Sequence, residues 1–191
     1  MSRTREHMIL VTGGCRSGKS EFGEKLVEAM GRRHLYVATA RIFDEEMARR
    51  VDKHKERRGE LWITHEGYTD LETLDYTGFD GILLDSVTSM VTNLLFDFMG
   101  EQKDGEDFSK VDYSAAEVYI MDKFQSLGAD VRKRNLPYVM VTDEIGLGVV
   151  PETPLGRGFR DILGRVNQYL ASEAAEVYFV ISGIPMRIKA E

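Results

Sequence analysis

The sequence predicts an α/β fold: a mostly parallel, twisted sheet with helices on both faces. Short apolar runs of strand length alternate with longer segments of helical periodicity along the chain. A glycine-rich turn joins the first apolar run to the first helical segment, and polar residues directly follow several of the runs. Because parallel sheets bind ligands at the carboxyl ends of their strands, the functional residues are expected there.

The first strand and the first helix enclose a glycine-rich loop. An apolar run at residues 8–11 precedes this loop, and a helical pattern at residues 21–30 follows it. The loop fits the pattern GxxxxGK[ST] in full, with the residues Gly13, Gly14, Cys15, Arg16, Ser17, Gly18, Lys19 and Ser20. In such a loop backbone N–H groups converge on a phosphate, Lys19 reaches the outer phosphates, and the Ser20 hydroxyl joins a Mg²⁺ shell. The alternative is an accidental glycine-rich turn, which the complete motif and its context disfavour.

A second strand is expected at residues 34–40 and a charged helix at residues 45–58. The small side chains at the end of that strand allow a ligand to pack closely against the backbone. His54 shares the apolar stripe of the charged helix and has basic neighbours in the sequence. Two interpretations of His54 stay open on this evidence. It is a nucleophile or phosphate-handling group, or it is a helix histidine on a solvated face, which composition alone favours.

The rest of the chain continues the alternation. Further strands are expected at residues 62–64, 81–85, 138–142 and 177–181, the last one ended by Gly183 and Pro185. Further helices are expected at residues 87–99, 113–134 and 159–175, with loops at residues 100–112 and 145–155. Together with the phosphate-binding loop, this order of elements predicts a P-loop nucleotide-binding fold of the RecA-like type.

Carboxylates follow two of the expected central strands. Asp85 ends an apolar run, where a carboxylate is costly to bury unless a cation or a donor meets it. A Mg²⁺ contact is therefore predicted for Asp85; the alternative is an N-cap of the following helix, and one carboxylate can serve both roles. Asp143 and Glu144 are a second acidic pair, for which a base, a metal contact and a loop cap are all open.

Length, charge and cysteine content limit the function classes. The 191 residues fit one domain, residues 1–191, with residues 1–7 as a flexible extension. A net charge of −7 argues against nucleic acid as the main partner, and the single cysteine excludes an internal disulfide and a cysteine-based zinc site. No run approaches the roughly 20 apolar residues of a membrane span, and residues 1–7 lack the apolar core of a signal peptide, so a cytoplasmic location is expected.

Further motifs follow the loop in a specific order. They are Tyr36-Val37-Ala38-Thr39-Ala40, Arg50-Val51 with His54-Lys55, Trp62-Ile63-Thr64 with Glu66, Leu83-Leu84-Asp85, Val91-Thr92-Asn93-Leu94-Leu95, Gly148-Val149-Val150-Pro151-Glu152, Phe159-Arg160-Asp161, Gly164-Arg165-Val166-Asn167-Gln168 and Ser182-Gly183-Ile184-Pro185. With these motifs, nearly the whole chain resembles the bifunctional adenosylcobinamide kinase / adenosylcobinamide-phosphate guanylyltransferase family of cobalamin synthesis. The phosphate-binding loop alone is widely shared, but the ordered series is highly specific.

The resemblance implies two reactions with GTP and ATP as substrates and Mg²⁺ as cofactor. A nucleoside triphosphate first phosphorylates adenosylcobinamide. A histidine then attacks the α-phosphate of GTP, and GMP passes to adenosylcobinamide phosphate to give adenosyl-GDP-cobinamide. The resemblance makes His54 that nucleophile, which reverses the preference from composition. It also implies a homo-oligomer, a trimer.

The resemblance further implies a set of nucleotide contacts besides the loop. They are Ala38, Thr39, Ala40, Lys55, Glu56, Arg57, Arg58, Glu66 and Asp85. One departure stands out: the family pattern usually has Asn where this chain has Asp143, and the added charge could alter metal or substrate contacts.

Two other enzyme classes and one signalling class compete with this interpretation. A small-metabolite P-loop kinase without nucleotidyl transfer is the first alternative. Whether His54 forms a covalent GMP intermediate distinguishes it from the bifunctional enzyme. A GTP-dependent switch protein normally carries an Asn-Lys-x-Asp motif, and the sequence has none. A nucleic-acid-dependent ATPase of recombinase type is disfavoured by the acidic charge and the missing basic stripe.

Overall fold

The computed structural model describes residues 8–41, 59, 61–100, 107–134 and 136–190. This part of the chain contains seven strands and four helices. The strands are β1 Met8–Gly13, β2 His34–Ala38, β3 Trp62–Glu66, β4 Gly81–Asp85, β5 Tyr138–Asp143, β6 Glu176–Ile181 and β7 Ile184–Ala190. The helices are α1 Lys19–Glu28, α2 Val87–Met99, α3 Tyr113–Lys133 and α4 Pro154–Glu173, with short 3₁₀ turns at Leu71–Thr73 and Phe108–Lys110.

The seven strands form one sheet in the order β3-β2-β4-β5-β1-β6-β7. All neighbouring pairs are parallel except β6 with β7, which is antiparallel. This confirms the expected α/β class with a mostly parallel sheet. The strand that leads into the phosphate-binding loop, β1, is separated by β5 alone from β4, the strand that ends in Asp85.

Side chains alternate between two cores along the central strands, as period-two geometry requires. In β1, Leu10 belongs to the larger core beneath α2, α3 and α4, whereas Val11 belongs to the smaller core beneath α1. In β5, Met140 likewise belongs to the larger core and Val141 to the smaller one. Helices therefore cover both faces of the sheet, as the sequence predicts.

The alternation also determines the face on which the acidic strand ends lie. Asp85 and Asp143 have the same parity as Leu83 and Val141, which face α1. Both carboxylates consequently lie on the face of the sheet that carries the helix of the phosphate-binding loop.

The expected last strand ends at Ile181, as the sequence predicts, but the sequence analysis missed the further strand β7 that follows it. Gly183 and Pro185 do not end the sheet; a two-residue turn at Ser182 and Gly183 reverses the chain into β7. Proline lacks the backbone N–H that a central strand needs, but an edge strand tolerates it. Since β7 is the outer strand of the sheet, Pro185 is compatible with it.

Several element boundaries also differ from the expected ones. Helix α4 begins at Pro154 rather than at residue 159, because the Thr153 hydroxyl accepts a hydrogen bond from the Gly156 amide and caps the helix. Strand β2 ends at Ala38, two residues earlier than expected, and the expected loop at residues 100–112 contains the 3₁₀ turn Phe108–Lys110. No helix in the described ranges is long and apolar enough to cross a lipid bilayer.

Candidate functional site

The phosphate-binding loop, residues 13–20, is tied to three neighbouring parts of the fold. The Glu144 amide donates to the Gly13 carbonyl at 3.0 Å, which joins the loop to the end of β5. The Gly183 amide donates to the Ser17 carbonyl at 2.8 Å, which joins it to the β6–β7 turn. Helix α1 begins at Lys19, within the last two residues of the loop motif, so that its amino-terminal N–H groups lie beside the loop. This is the arrangement that the motif predicts.

Two glycines of the loop are required by the backbone. A Cβ atom at Gly13 would lie 2.3 Å from the Val180 carbonyl oxygen of β6 and 2.9 Å from the Ser17 hydroxyl oxygen. Gly18 has a φ of +94°, a left-handed conformation that favours glycine, and it is the N-cap of α1. The buried Ser17 hydroxyl has no hydrogen-bond partner among the described residues. An uncommitted hydroxyl inside an anion-binding loop is available to a phosphate oxygen.

Lys19 lies inside the fold rather than in solvent. Its residue is 7% exposed, and its ammonium nitrogen Nζ lies 2.7 Å from the Gly14 carbonyl oxygen and 2.7 Å from Oδ1 of Asp143. The counter-ion of the loop lysine is thus the aspartate at the end of β5. The sequence singled out Asp143 as part of an acidic pair and as a departure from the family pattern, but it gave no sign of this ion pair with Lys19.

The backbone of Asp143 is held by side chains of two helices. Its amide donates to the Thr88 hydroxyl of α2 at 2.8 Å, and its carbonyl accepts from Nδ2 of Asn167 in α4 at 3.0 Å. The same Asn167 accepts from the Thr142 hydroxyl at 2.7 Å. These contacts fix the strand end, so that the carboxylate points towards α1 and Lys19. Sequence reasoning missed Thr88 and Asn167, although Asn167 lies in one of the motifs.

Asp85 ends β4 on the same edge of the sheet. Its Oδ2 accepts a hydrogen bond from the Tyr36 hydroxyl at 2.8 Å. The alternative role as a helix N-cap was wrong: Ser86 caps α2, with its hydroxyl accepting from the Ser89 amide. The carboxylate is therefore not used by the helix that follows it.

The end of β2 is joined to the end of β4 through Thr39. Its hydroxyl donates to the Ser86 carbonyl and accepts from the Ser86 amide, at 2.6 and 2.8 Å, and its carbonyl accepts from Nδ2 of Asn93. Thr39 is 1% exposed. Its side chain is therefore committed to the scaffold, and a ligand would meet the backbone of this segment rather than the hydroxyl.

The strand register places the remaining described candidates along one edge. Ala38 pairs with Asp85 on one side and with Glu66 on the other, and Gly13 pairs with Asp143. Ala40 follows directly after Thr39. At a strand spacing of about 4.8 Å, the four steps from β1 to β3 span roughly 19 Å. The loop, Asp85 and Glu66 thus form one continuous line rather than a single compact cluster.

A cavity of about 460 Å³ opens beside the loop, lined by residues 14–17, Glu144, Leu147 and the end of β6. The exposed thiol of Cys15 lies at this cavity, within the loop. The predicted nucleophile His54 and the predicted contacts Lys55, Glu56, Arg57 and Arg58 lie outside the described residues. The extension at residues 1–7 also lies outside them.

Comparison with known proteins identifies close relatives. The model of a family described as "Cobinamide kinase / cobinamide phosphate guanyltransferase" matches residues 9–188. The chain is 48% identical over 185 residues to the bifunctional adenosylcobalamin biosynthesis protein CobU of Escherichia coli, covering 95% of this chain and 99% of that protein. The identity and both coverages are the same for CobU of Salmonella typhimurium.

A more distant relative is the bifunctional adenosylcobalamin biosynthesis protein CobP of Pseudomonas aeruginosa. It is 35% identical over 187 residues, covering 95% of this chain and 97% of that protein. Among solved structures, the RadB recombinase is similar at 15% identity and a TM-score of 0.47, covering 91% of this chain and 73% of that chain. The family match, over almost the whole chain, confirms the resemblance that the sequence motifs indicate.

Proposed function

The chain belongs to the cobinamide kinase / cobinamide phosphate guanyltransferase family, and on that premise we propose that it catalyses both steps on a single nucleotide site. It phosphorylates adenosylcobinamide and then transfers GMP from GTP to adenosylcobinamide phosphate, giving adenosyl-GDP-cobinamide. The observation that carries this proposal is the complete phosphate-binding loop, with Lys19 buried in it, at the carboxyl edge of the sheet.

In the kinase step, the hydroxyl of the aminopropanol arm of adenosylcobinamide attacks the γ-phosphorus of a nucleoside triphosphate. The hydroxyl loses its proton, and the nucleoside diphosphate leaves. Lys19 and the N–H groups at the start of α1 offset the negative charge on the phosphoryl oxygens. Because phosphoryl transfer depends mainly on position and charge, a fixed loop on a rigid sheet edge suits it.

In the guanylyl step, a ring nitrogen of unprotonated His54 attacks the α-phosphorus of GTP, and pyrophosphate leaves. The product is a GMP–histidine phosphoramidate. A phosphate oxygen of adenosylcobinamide phosphate then attacks the same phosphorus, and the nitrogen–phosphorus bond breaks. The role of His54 rests on the motif resemblance. The line from the loop to Glu66 supports it, because the edge is long enough to hold a nucleotide extended away from β1.

The oxygen-bearing side chains of Ser20 and Asp85 also suit Mg²⁺. This ion prefers oxygen ligands and is commonly held by one or two protein oxygens together with substrate phosphates and water. We propose that the Ser20 hydroxyl, in the first turn of α1, and the Asp85 carboxylate hold it. When bound, Mg²⁺ supplies charge neutralisation at the phosphates. No group of three or more His, Cys, Asp or Glu side chains placed to hold a metal ion occurs within the described ranges.

The decisive experiment follows a label from GTP into the protein. The protein is incubated with Mg²⁺ and GTP that carries ³²P at the α-phosphate, quenched and denatured. We expect protein-bound label that acid removes and base preserves, as a phosphoramidate requires. His54→Ala should abolish the label, while the matched control His65→Gln should keep it.

Two outcomes would reject the proposal in different ways. Label that persists in His54→Ala would assign the intermediate to another residue. An absence of label in the unaltered protein, combined with phosphorylation of adenosylcobinamide seen by mass, would favour the alternative of a P-loop kinase without nucleotidyl transfer. Mass analysis of the products in the presence of GTP, Mg²⁺ and adenosylcobinamide separates these cases.

We further propose that the protein is a homo-oligomer, a trimer, located in the cytoplasm with its nucleotide substrates. Support for a subunit contact comes from the edge of the sheet. Ile184, Met186 and Ile188 of β7 are large apolar residues that are 49–66% exposed. An exposed apolar edge strand commonly pairs with or packs against another chain.

A further inference from the structure

The ion pair between Lys19 and Asp143 has a consequence for nucleotide binding, which rests on the proposed function of residues 13–20 as a triphosphate site. The Lys19 ammonium has two oxygen partners, the Gly14 carbonyl and the Asp143 carboxylate, each at 2.7 Å. A phosphate that enters the loop needs this same ammonium group. It must therefore replace the carboxylate or share the lysine with it.

Asp143 cannot easily leave the site when that exchange occurs. Its amide and carbonyl are bonded to α2 and α4 through Thr88 and Asn167, and its strand lies in the middle of the sheet. The side chain is 29% exposed, so water screens the carboxylate only in part. A bound triphosphate would thus place its own negative oxygens close to a second, fixed negative charge.

We propose that Asp143 is a specificity-determining residue that makes triphosphate binding by this chain strongly dependent on a divalent cation. Without the cation, the carboxylate competes with the phosphates for Lys19 and repels them. With Mg²⁺ on the triphosphate, the additional positive charge offsets the carboxylate. Charge interactions at such distances in a partly buried site are large enough to change affinity by an order of magnitude or more.

The test measures binding rather than turnover. The probe is the α,β-methylene analogue of GTP, whose α,β bridge cannot be cleaved, so that no guanylylated protein forms. Its Kd is measured by calorimetry in excess Mg²⁺ and again in excess EDTA. The quantity of interest is the ratio of the Kd in EDTA to the Kd in Mg²⁺. In the neutral, isosteric variant Asp143→Asn, we expect this ratio to fall about tenfold or more, chiefly because binding in EDTA becomes tighter.

Two further variants make the result specific. Asp143→Ser, a second neutral variant, removes the carboxylate as well as its contact with Lys19 and should show the same fall. Glu144→Gln is the matched control: it removes one negative charge at the adjacent residue, whose carboxylate bonds the Gly146 amide instead of Lys19. Its ratio should stay within about twofold of that of the unaltered protein. Circular dichroism and thermal melting establish that each variant is folded.

The outcomes separate this inference from the proposed function. An unchanged or larger ratio in Asp143→Asn and Asp143→Ser, with the analogue still bound, overturns the inference alone. An equal fall in Glu144→Gln also overturns it, because the effect would then come from net charge near the loop. If no protein binds the analogue even with Mg²⁺, the proposed nucleotide site itself is rejected and the inference with it.

Discussion

Gly13 and Gly14 are adjacent in the phosphate-binding loop but differ in the space around them. A side chain at Gly13 would collide with the carbonyl oxygen of Val180, a backbone atom of β6 that cannot rotate away. At Gly14, nothing lies within 4 Å of an added Cβ. The two glycines therefore differ: the close approach of β1 and β6 requires glycine at position 13, whereas the space around Gly14 would admit a side chain.

This difference gives a prediction for stability. Gly13→Ala should lower the free energy of unfolding by about 1–3 kcal/mol, because β1 and β6 must separate to accommodate the methyl group. Gly14→Ala should change it by less than about 1 kcal/mol, in the stabilising direction, because alanine restricts the unfolded chain. Urea denaturation of both variants measures the two values. Equal losses in the two variants would contradict the close approach at Gly13.

His34, the first residue of β2, is a buried titratable group away from the site. It is fully buried against the Trp62 ring, with 4.9 Å between ring centroids, and neither ring nitrogen has a hydrogen-bond partner among the described residues. Burial lowers the pKa of His34 below its usual value, although the carboxylates of Asp80 and Glu28 act in the opposite direction. The folded protein therefore favours the neutral ring.

A pH dependence of stability follows from this shift. Above the unfolded pKa of about 6.5, both states hold a neutral ring, and the contribution of His34 is fully present. As the pH falls below that value, the unfolded chain binds a proton first, so that the free energy of unfolding decreases until the folded pKa is passed. We expect this decrease to be smaller in His34→Leu, measured by urea denaturation at a series of pH values.

NMR can check directly that the pKa of His34 is lowered in the folded protein. The ring C–H resonance of His34 in the folded protein, followed by NMR, should shift at a pH below the usual histidine range. A midpoint at or above the usual value, or an unaltered pH slope in His34→Leu, would contradict it.

At the scale of elements, the β6–β7 hairpin links the sheet edge to the phosphate-binding loop. Ile181 and Ile184 pair across the two-residue turn Ser182-Gly183, in which φ is +50° and +82°. Positive φ at both central positions is typical of the type I′ turns that match strand twist. The Gly183 amide also bonds the Ser17 carbonyl. The hairpin therefore supports the loop while it closes the sheet.

The turn conformation predicts that substitutions at its two residues change stability to different extents. Gly183→Ala should cost about 1–2 kcal/mol in unfolding free energy, because a Cβ atom is strained in the left-handed region. It should also weaken nucleotide binding modestly, since the bond to Ser17 depends on this turn. Ser182→Asn should be neutral or slightly stabilising, because asparagine tolerates positive φ. A Gly183→Ala variant as stable as the unaltered protein would contradict the turn assignment.

At the scale of the whole molecule, the sheet has two different edges. The β3 edge lies beside Glu66 at the far end of the candidate site, whereas the β7 edge carries the exposed apolar side chains of Ile184, Met186 and Ile188. An exposed apolar edge of this kind suits a contact with another chain, and we propose the subunit contact there.

This proposal predicts the effect of charge on assembly. Ile184→Lys combined with Ile188→Lys should shift the protein from an oligomer to a monomer in sedimentation velocity, because burying two ammonium groups against another subunit is unfavourable. Lys110→Glu, an exposed charge change on the 3₁₀ turn before α3, serves as the control and should sediment as the unaltered protein does. An oligomer that survives both lysines would place the subunit contact elsewhere.

Much of this protein was predictable from its sequence. The alternation of apolar runs and helical periods determined the α/β class and the parallel sheet, because each pattern is local and recurs at a fixed period. The loop was predictable because its chemistry lies in eight consecutive residues. The family was predictable from the ordered motifs, and the match over residues 9–188 confirms it. The contacts assigned to individual residues, His54 above all, stay predictions.

Only the tertiary structure decided which residues meet across the sheet. The pairing of Lys19 with Asp143 joins residues 124 positions apart, and it depends on β5 lying beside β1, a strand order that no local pattern encodes. Ser86 rather than Asp85 caps α2, because the hydroxyl has the geometry to reach the Ser89 amide. The sequence by itself thus determined a loop with the complete phosphate-binding pattern. Its lysine is already held by a fixed carboxylate because two distant strand ends are brought together by the fold.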